Sequence, residues 1–142
     1  MPARATESQV VQTLPALTSR EQDRLTQRII ACAIEVHRAL GPGLLESAYD
    51  RCLAHEFSIA GMPFTQQLPV ALQYKGLAVA SAYRIDFLVA EAVIVEVKSV
   101  ERLCIAHSAQ LQTYLKFLQA PAGLLINFNV AQLVHGVRRL RR

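Results

Sequence analysis

The chain has no tryptophan, and phenylalanine and tyrosine together supply only 6% of its 142 residues. A broad platform that holds nucleic-acid bases by ring faces is therefore not expected. Its three cysteines, Cys32, Cys52 and Cys104, are odd in number and scattered, which argues against both a zinc-finger spacing and a disulfide framework. Each reads as a small core filler rather than a catalytic thiol. With no secretory signal pattern beside them, they point to a reducing, cytoplasmic setting. No apolar run approaches the ~20 residues of a membrane span, so no membrane partner is expected. A phosphate-binding glycine loop, internal repeats and low-complexity tracts are also missing.

What is present suits one domain with a real core: 52% of the residues are hydrophobic and 18% charged. Fifteen basic against eleven acidic residues give a net charge of +4, which permits an anionic partner without requiring one. Residues 1–17, bracketed by Pro2 and Pro15, show no convincing hydrophobic period and read as a flexible leader. The domain is then residues 18–142.

Thr18 and Ser19 precede Glu21 and Gln22 at capping-box spacing, which predicts a helix start. Leu25, Ile29, Ile30, Ala33, Val36 and Leu40 form its apolar stripe, and Gly41-Pro42-Gly43 stops it. A second helix is predicted from near Leu44 to Gly61. The period then changes to strands over residues 68–74 and from Leu77 onward, with a turn at Lys75-Gly76 and a bend through Ser81-Ala82. A helix follows over about residues 105–118, then a buried strand at 123–128 and a more exposed one at 132–140. The order is α-α-β-β-β-α-β-β, a mixed central sheet flanked by helices.

The stretch that organises the chain is residues 83–98, two strands joined by a tight turn. The second strand contains the apolar run Ala92-Val93-Ile94-Val95-Glu96-Val97-Lys98, suited to a sheet's centre. A carboxylate there costs several kcal/mol by typical estimates unless it is paired, hydrogen-bonded or metal-bound. Glu96 and Lys98 share one face of the strand. Asp86 stands on the preceding strand between Ile85 and Phe87. An odd loop, such as Ala90-Glu91-Ala92, places Asp86 opposite Glu96; an even one separates them across the sheet.

Asp86, Glu96 and Glu46 with one ammonium, Lys98, leave a charge of −2 if assembled. Like charges ~4 Å apart repel by about 4 kcal/mol at an effective dielectric near 20, and one divalent cation removes that penalty. Carboxylate oxygens, the backbone carbonyl of Val97 and waters suit Mg²⁺ or Mn²⁺. Lys98 could orient a water or stabilise charge on a phosphate. Gln110 and Tyr114, on one helix face with His107, could hold the phosphate or the water. Plainer readings stand beside these. Glu46 suits a helix N-terminus through the dipole, Tyr49 suits packing, and Asp86 could pair with Arg84 or Lys98 on a wet face. His37 and His107 could line a cleft or serve structure. Arg138, Arg139, Arg141 and Arg142 could contact phosphates or form a solvated terminus.

The segment His37-Arg38-Ala39-Leu40-Gly41-Pro42-Gly43-Leu44-Leu45-Glu46-Ser47-Ala48-Tyr49 resembles the signature of the GxxExxY family of small prokaryotic proteins. The later blocks around Asp86, Glu96, Gln110 and residues 123–128 match as well, so the resemblance covers about residues 20–140. That family is grouped with the PD-(D/E)XK nuclease-like superfamily. The resemblance implies a restriction-endonuclease-like αβββαβ core, here with an extra N-terminal helix, and a metal-dependent phosphodiesterase centre. By position, Glu46 resembles the superfamily's helix glutamate and Asp86 its metal aspartate. Glu96 and Lys98 resemble the (D/E)-x-K pair, and Gln110 and Tyr114 the Q-x-x-x-Y element of the RecB-like branch. Ile85 departs from the pattern, standing where the name-giving proline would. The expected function is a Mg²⁺- or Mn²⁺-dependent nuclease acting on DNA, less readily RNA. The alternatives are a catalytically silent module that binds nucleic acid or protein, and a homodimeric scaffold.

Overall fold

Thr18 opens the first helix as its spacing requires. Its hydroxyl accepts the Glu21 N–H at 3.1 Å, and the Glu21 carboxylate accepts the Thr18 N–H at 2.8 Å. The structure, a computed structural model, describes residues 17–142. Apart from Leu17, the expected leader lies outside the described residues. Helix α1 (Ser19–Leu40) and helix α2 (Glu46–Ile59) pack together on one face of a five-stranded sheet. Strands β1 (Phe64–Tyr74), β2 (Leu77–Val89), β3 (Val93–Lys98), β4 (Ala122–Asn127) and β5 (Val137–Arg141) lie in chain order across it. Helix α3 (Ile105–Leu118) connects β3 to β4, the one parallel pair, and covers the opposite face. The order of helices and strands is the one expected, and the architecture is the restriction-endonuclease-like α/β core with an extra N-terminal helix.

Strand β3 sits at the centre because five of its six residues are fully enclosed, which its β-branched composition favours. Val93, Val95 and Val97 face α1 and α2, and Ile94 faces α3. Helix α3 lies close on β4 at Gly123, where a Cβ would stand 2.9 Å from the Leu111 side chain. Leu111, Leu115 and Leu118 seat α3 on the sheet, whereas Ala106 and Ala109 are exposed.

Three boundaries differ from expectation. Strand β1 begins at Phe64 rather than Leu68; as an edge strand it tolerates Pro69, which has no N–H for a ladder. The second helix starts at Glu46 without a side-chain cap. The last segment is not one strand over 132–140: a 3₁₀ turn at Leu133–Gly136 comes first, and pairing begins only at Val137. Cys104 also departs from the core-filler reading, because it is exposed, while Cys32 and Cys52 are half-buried.

The β1–β2 hairpin closes on Lys75-Gly76, both with positive φ (46° and 85°), the conformation that a two-residue turn of matched twist demands. Its register slips between Val70 and Leu72, opposite the expected bend in β2. Farther along, the hairpin switches faces. Ile85 packs in the α3 layer while Phe87 packs in the α1–α2 layer, although alternation would give them one face. Asp86 lies at the switch, and opposite it Gln67 takes a left-handed φ of 55°.

Candidate active site

Strands β2 and β3 pair through Val89–Val93, Leu88–Ile94 and Phe87–Val95. Three residues, Ala90, Glu91 and Ala92, remain in the loop, so the odd count holds and Asp86 falls opposite Glu96. The backbone ladder ends there, and the two side chains take its place. The Asp86 N–H donates to Glu96 Oε2 at 2.8 Å, and the Val97 N–H donates to Asp86 Oδ2 at 2.8 Å. The Lys98 carbonyl accepts the Phe128 N–H at 2.9 Å, so Lys98 turns its backbone toward β4. Val97 therefore turns its own toward β2, with its carbonyl on the side of Asp86.

Lys98 is half-buried, and its Nζ donates to Gln110 Oε1 at 3.3 Å on α3. Tyr114, one turn on, is 2% exposed. Its hydroxyl is pushed up to about 12 by burial first, then by Glu96, Asp86 and Tyr83. From the other side comes α2, with Glu46 exposed in its first turn and Asp50 half-buried one turn later.

These carboxylates act on one another. Glu96, 3% exposed, is pushed up to about 8 by burial and then by Asp86, against the opposing pull of the Asp86 N–H and Lys98. Asp86 is raised chiefly by burial, with the Val97 N–H, Lys98 and a Gln67 side-chain hydrogen bond pulling the other way. Asp50 is pushed up to about 7 by burial, then by Asp86 and Glu46. Its Oδ1 is buried and has no hydrogen-bond partner among the described residues. Such an orphaned hard oxygen, beside carboxylates that repel, is the donor chemistry that suits Mg²⁺ or Mn²⁺. Among the described residues, no three acidic, histidine or cysteine side chains are placed closely enough to hold an ion as they stand.

A family model of the PD-(D/E)XK nuclease superfamily matches residues 23–140. The chain belongs to the PD-(D/E)XK nuclease superfamily. No curated protein and no solved structure matches it. In this PD-(D/E)XK chain the structure brings Asp86, Glu96, Lys98, Gln110 and Tyr114 together, with Glu46 acting on Asp86 from α2.

Two site residues are missed by sequence reasoning. Asp50 follows Glu46 by four residues, the spacing that returns a helix to one face, so its signal is present. Gln67 has none, because its place depends on a left-handed backbone turn in an edge strand. Other candidates serve structure. His37 Nε2 contacts the Val130 carbonyl at 2.8 Å, and His107 Nδ1 accepts the Cys104 N–H at 3.0 Å, capping α3. The terminal arginines are not a loose tail: Arg139 and Arg141 both reach Asp23, and Arg138 reaches Ser108. The apolar groove between α1 and α2, about 710 Å³ and lined by residues such as Leu40, Cys52 and His55, shares none of the carboxylates.

Tyr49 holds α2 in place. Its hydroxyl donates to the Gly41 carbonyl at 2.6 Å and accepts the Leu44 N–H at 3.2 Å, and its ring stacks on Phe128 at 4.5 Å. Ser99 completes the clasp by donating to the Leu44 carbonyl at 2.5 Å. Removing the hydroxyl in Tyr49→Phe keeps the stacking and orphans both backbone groups. The expected cost is roughly 1–3 kcal/mol, read as a lower urea midpoint with an unchanged slope. An unchanged midpoint would show that the loop does not depend on this clasp.

Proposed function

We propose that this chain is a divalent-metal-dependent nuclease of the GxxExxY type, hydrolysing phosphodiester bonds in DNA in preference to RNA. The observation that carries this reading is the reciprocal embedding of Asp86 and Glu96 at the end of a sheet ladder, with Lys98 beside them. Glu46, Asp86, Glu96 and the Val97 carbonyl would hold Mg²⁺ or Mn²⁺, with Asp50 adding an oxygen. When bound, such an ion supplies polarisation of a phosphate oxygen and a more acidic water.

In this reading Lys98, steadied by Gln110, presents its ammonium to the water or to charge developing on the phosphate. Gln110 and Tyr114 position the phosphate. The water oxygen bonds to phosphorus, the P–O bond to the leaving strand breaks, and a proton passes to the departing oxygen.

A calorimetric Mn²⁺ titration of the wild type and of Asp86→Ala, Glu96→Ala tests the site. Binding to wild type that disappears in the folded double variant is the expected result. No binding to a folded wild type, with or without DNA, favours the second reading, a silent nuclease-fold module. That reading draws on the lack of a ready-made ligand cluster among the described residues.

A further inference from the structure

From Phe64 to Ile85 the chain contains no aspartate or glutamate, although two cations, Lys75 and Arg84, stand in it. These residues form the long hairpin that ends at Asp86. Beyond the register slip it continues as an arm, pairing Leu72 with Val79, Gln73 with Ala78 and Tyr74 with Leu77. Leu68 and Val70 pack in the α3 layer, and alternation carries Leu72 and Tyr74 onto the same face. Tyr83 opposes Val70 and so shares that face; its ring stands edge-on to Tyr114, 6.1 Å between centroids.

Three of the chain's four tyrosines thus lie along one side, running from the arm's tip to the carboxylates. Tyr74 is 58% exposed and Tyr83 43%, which leaves ring surface open. The Lys75 ammonium lies 5.4 Å from the centre of the Tyr74 ring. Neither Lys75 nor Arg84 forms an ion pair among the described residues. Seven residues of strand separate Tyr74 from Gln67 beside Asp86, about 23 Å at the usual rise.

Resting on the nuclease reading, we propose that this arm guides an unpaired nucleic-acid strand into the carboxylate site. Tyr74 and Tyr83 offer ring faces to bases, and Lys75, beside the Tyr74 ring, meets a phosphate. Stacking is tolerant of sequence, and the lack of acids over residues 64–85 removes repulsion from a polyanion. The low aromatic content rules out a broad platform, and the three tyrosines form a single line instead.

Fluorescence anisotropy in EDTA measures binding with cleavage switched off. The probe is a labelled oligothymidine of about fifteen nucleotides, set against a duplex of equal length. Tyr74→Ala, Lys75→Ala sits in an exposed turn, and Tyr83→Leu keeps bulk beside Tyr114. Each is expected to weaken oligothymidine binding at least tenfold while duplex binding moves little. Losing Lys75 should also lower the salt slope by about 0.7. Unchanged oligothymidine affinity, tighter binding of the duplex, or no binding by wild type overturns the proposal. So does light scattering that shows the arm joining two copies of the chain. Failure of the nuclease reading would show as absent cleavage with binding intact, and failure of the guide as the reverse.

Discussion

Asp86→Asn and Lys98→Met are each expected to lower Mn²⁺-dependent cleavage of DNA by about a hundredfold to a thousandfold, the scale seen when a charge-stabilising group is lost from an active site. Asparagine is the cleaner test at position 86. Asp86 Oδ2 accepts the Val97 N–H, so alanine would orphan a backbone donor and cost roughly 1–3 kcal/mol of stability. The asparagine carbonyl keeps that bond and removes the charge. Among the described residues Lys98 has only the Gln110 carbonyl as a side-chain hydrogen-bond partner, and methionine fills its volume. Folded variants with undiminished cleavage would remove Asp86 and Lys98 from the reaction; a loss accompanied by unfolding would be attributed to structure.

The second large effect is on stability and runs against the usual behaviour of carboxylates. Glu96 is raised from 4.5 to about 8 and Asp50 from 3.8 to about 7, burial being the first cause of each. Between those limits the folded chain holds protons that the unfolded chain has released. Stability therefore falls as pH rises. The contribution is complete below about 4 and is lost as pH passes through about 7 and about 8. A tenfold difference in proton affinity between folded and unfolded chain is worth roughly 1.4 kcal/mol. Solvent reaching the half-buried Asp50 reduces its share, so metal-free protein is expected to lose a few kcal/mol between about pH 5.5 and 8.5. Thermal melting in EDTA reads this directly. Glu96→Gln should flatten the profile and melt higher than wild type at about pH 8.5, while abolishing Mn²⁺ binding. Added Mn²⁺ should stabilise wild type most where the carboxylates are ionised. A wild-type melting temperature that holds steady or rises across this range would contradict the assigned burial.

Much of this is legible in the sequence because it rests on local rules. The apolar run around Glu96 places β3 at the centre, and the required loop of odd length is met by Ala90, Glu91 and Ala92. The capping box at Thr18 and the face shared by Gln110 and Tyr114 follow from helix spacing alone. The family blocks supply what spacing cannot, namely that Glu46 should approach strands far along the chain. What escapes is tertiary. Asp50 reads as one more surface acid until the docked α2 brings it within reach of Asp86. Gln67 depends on a left-handed residue that no strand propensity announces. The arginines read as a tail because Asp23, which receives two of them, lies over a hundred residues away. The final strand reads too long because a 3₁₀ turn and a strand can share one apolar pattern.

Asp86 and Glu96 also do the work of missing backbone acceptors, stitching two strands together where their ladder stops. Selection for folding alone would therefore tend to keep an acceptor oxygen, acid or amide, at both positions in a descendant that had lost catalysis. An acceptor kept at either position is by itself weak testimony for an active enzyme. Lys98 stitches no strand: among the described residues its ammonium donates to the Gln110 amide and draws on the two carboxylates by charge alone. Among relatives, the lysine is the position whose loss would mark a retired enzyme, and whose retention would mark a working one.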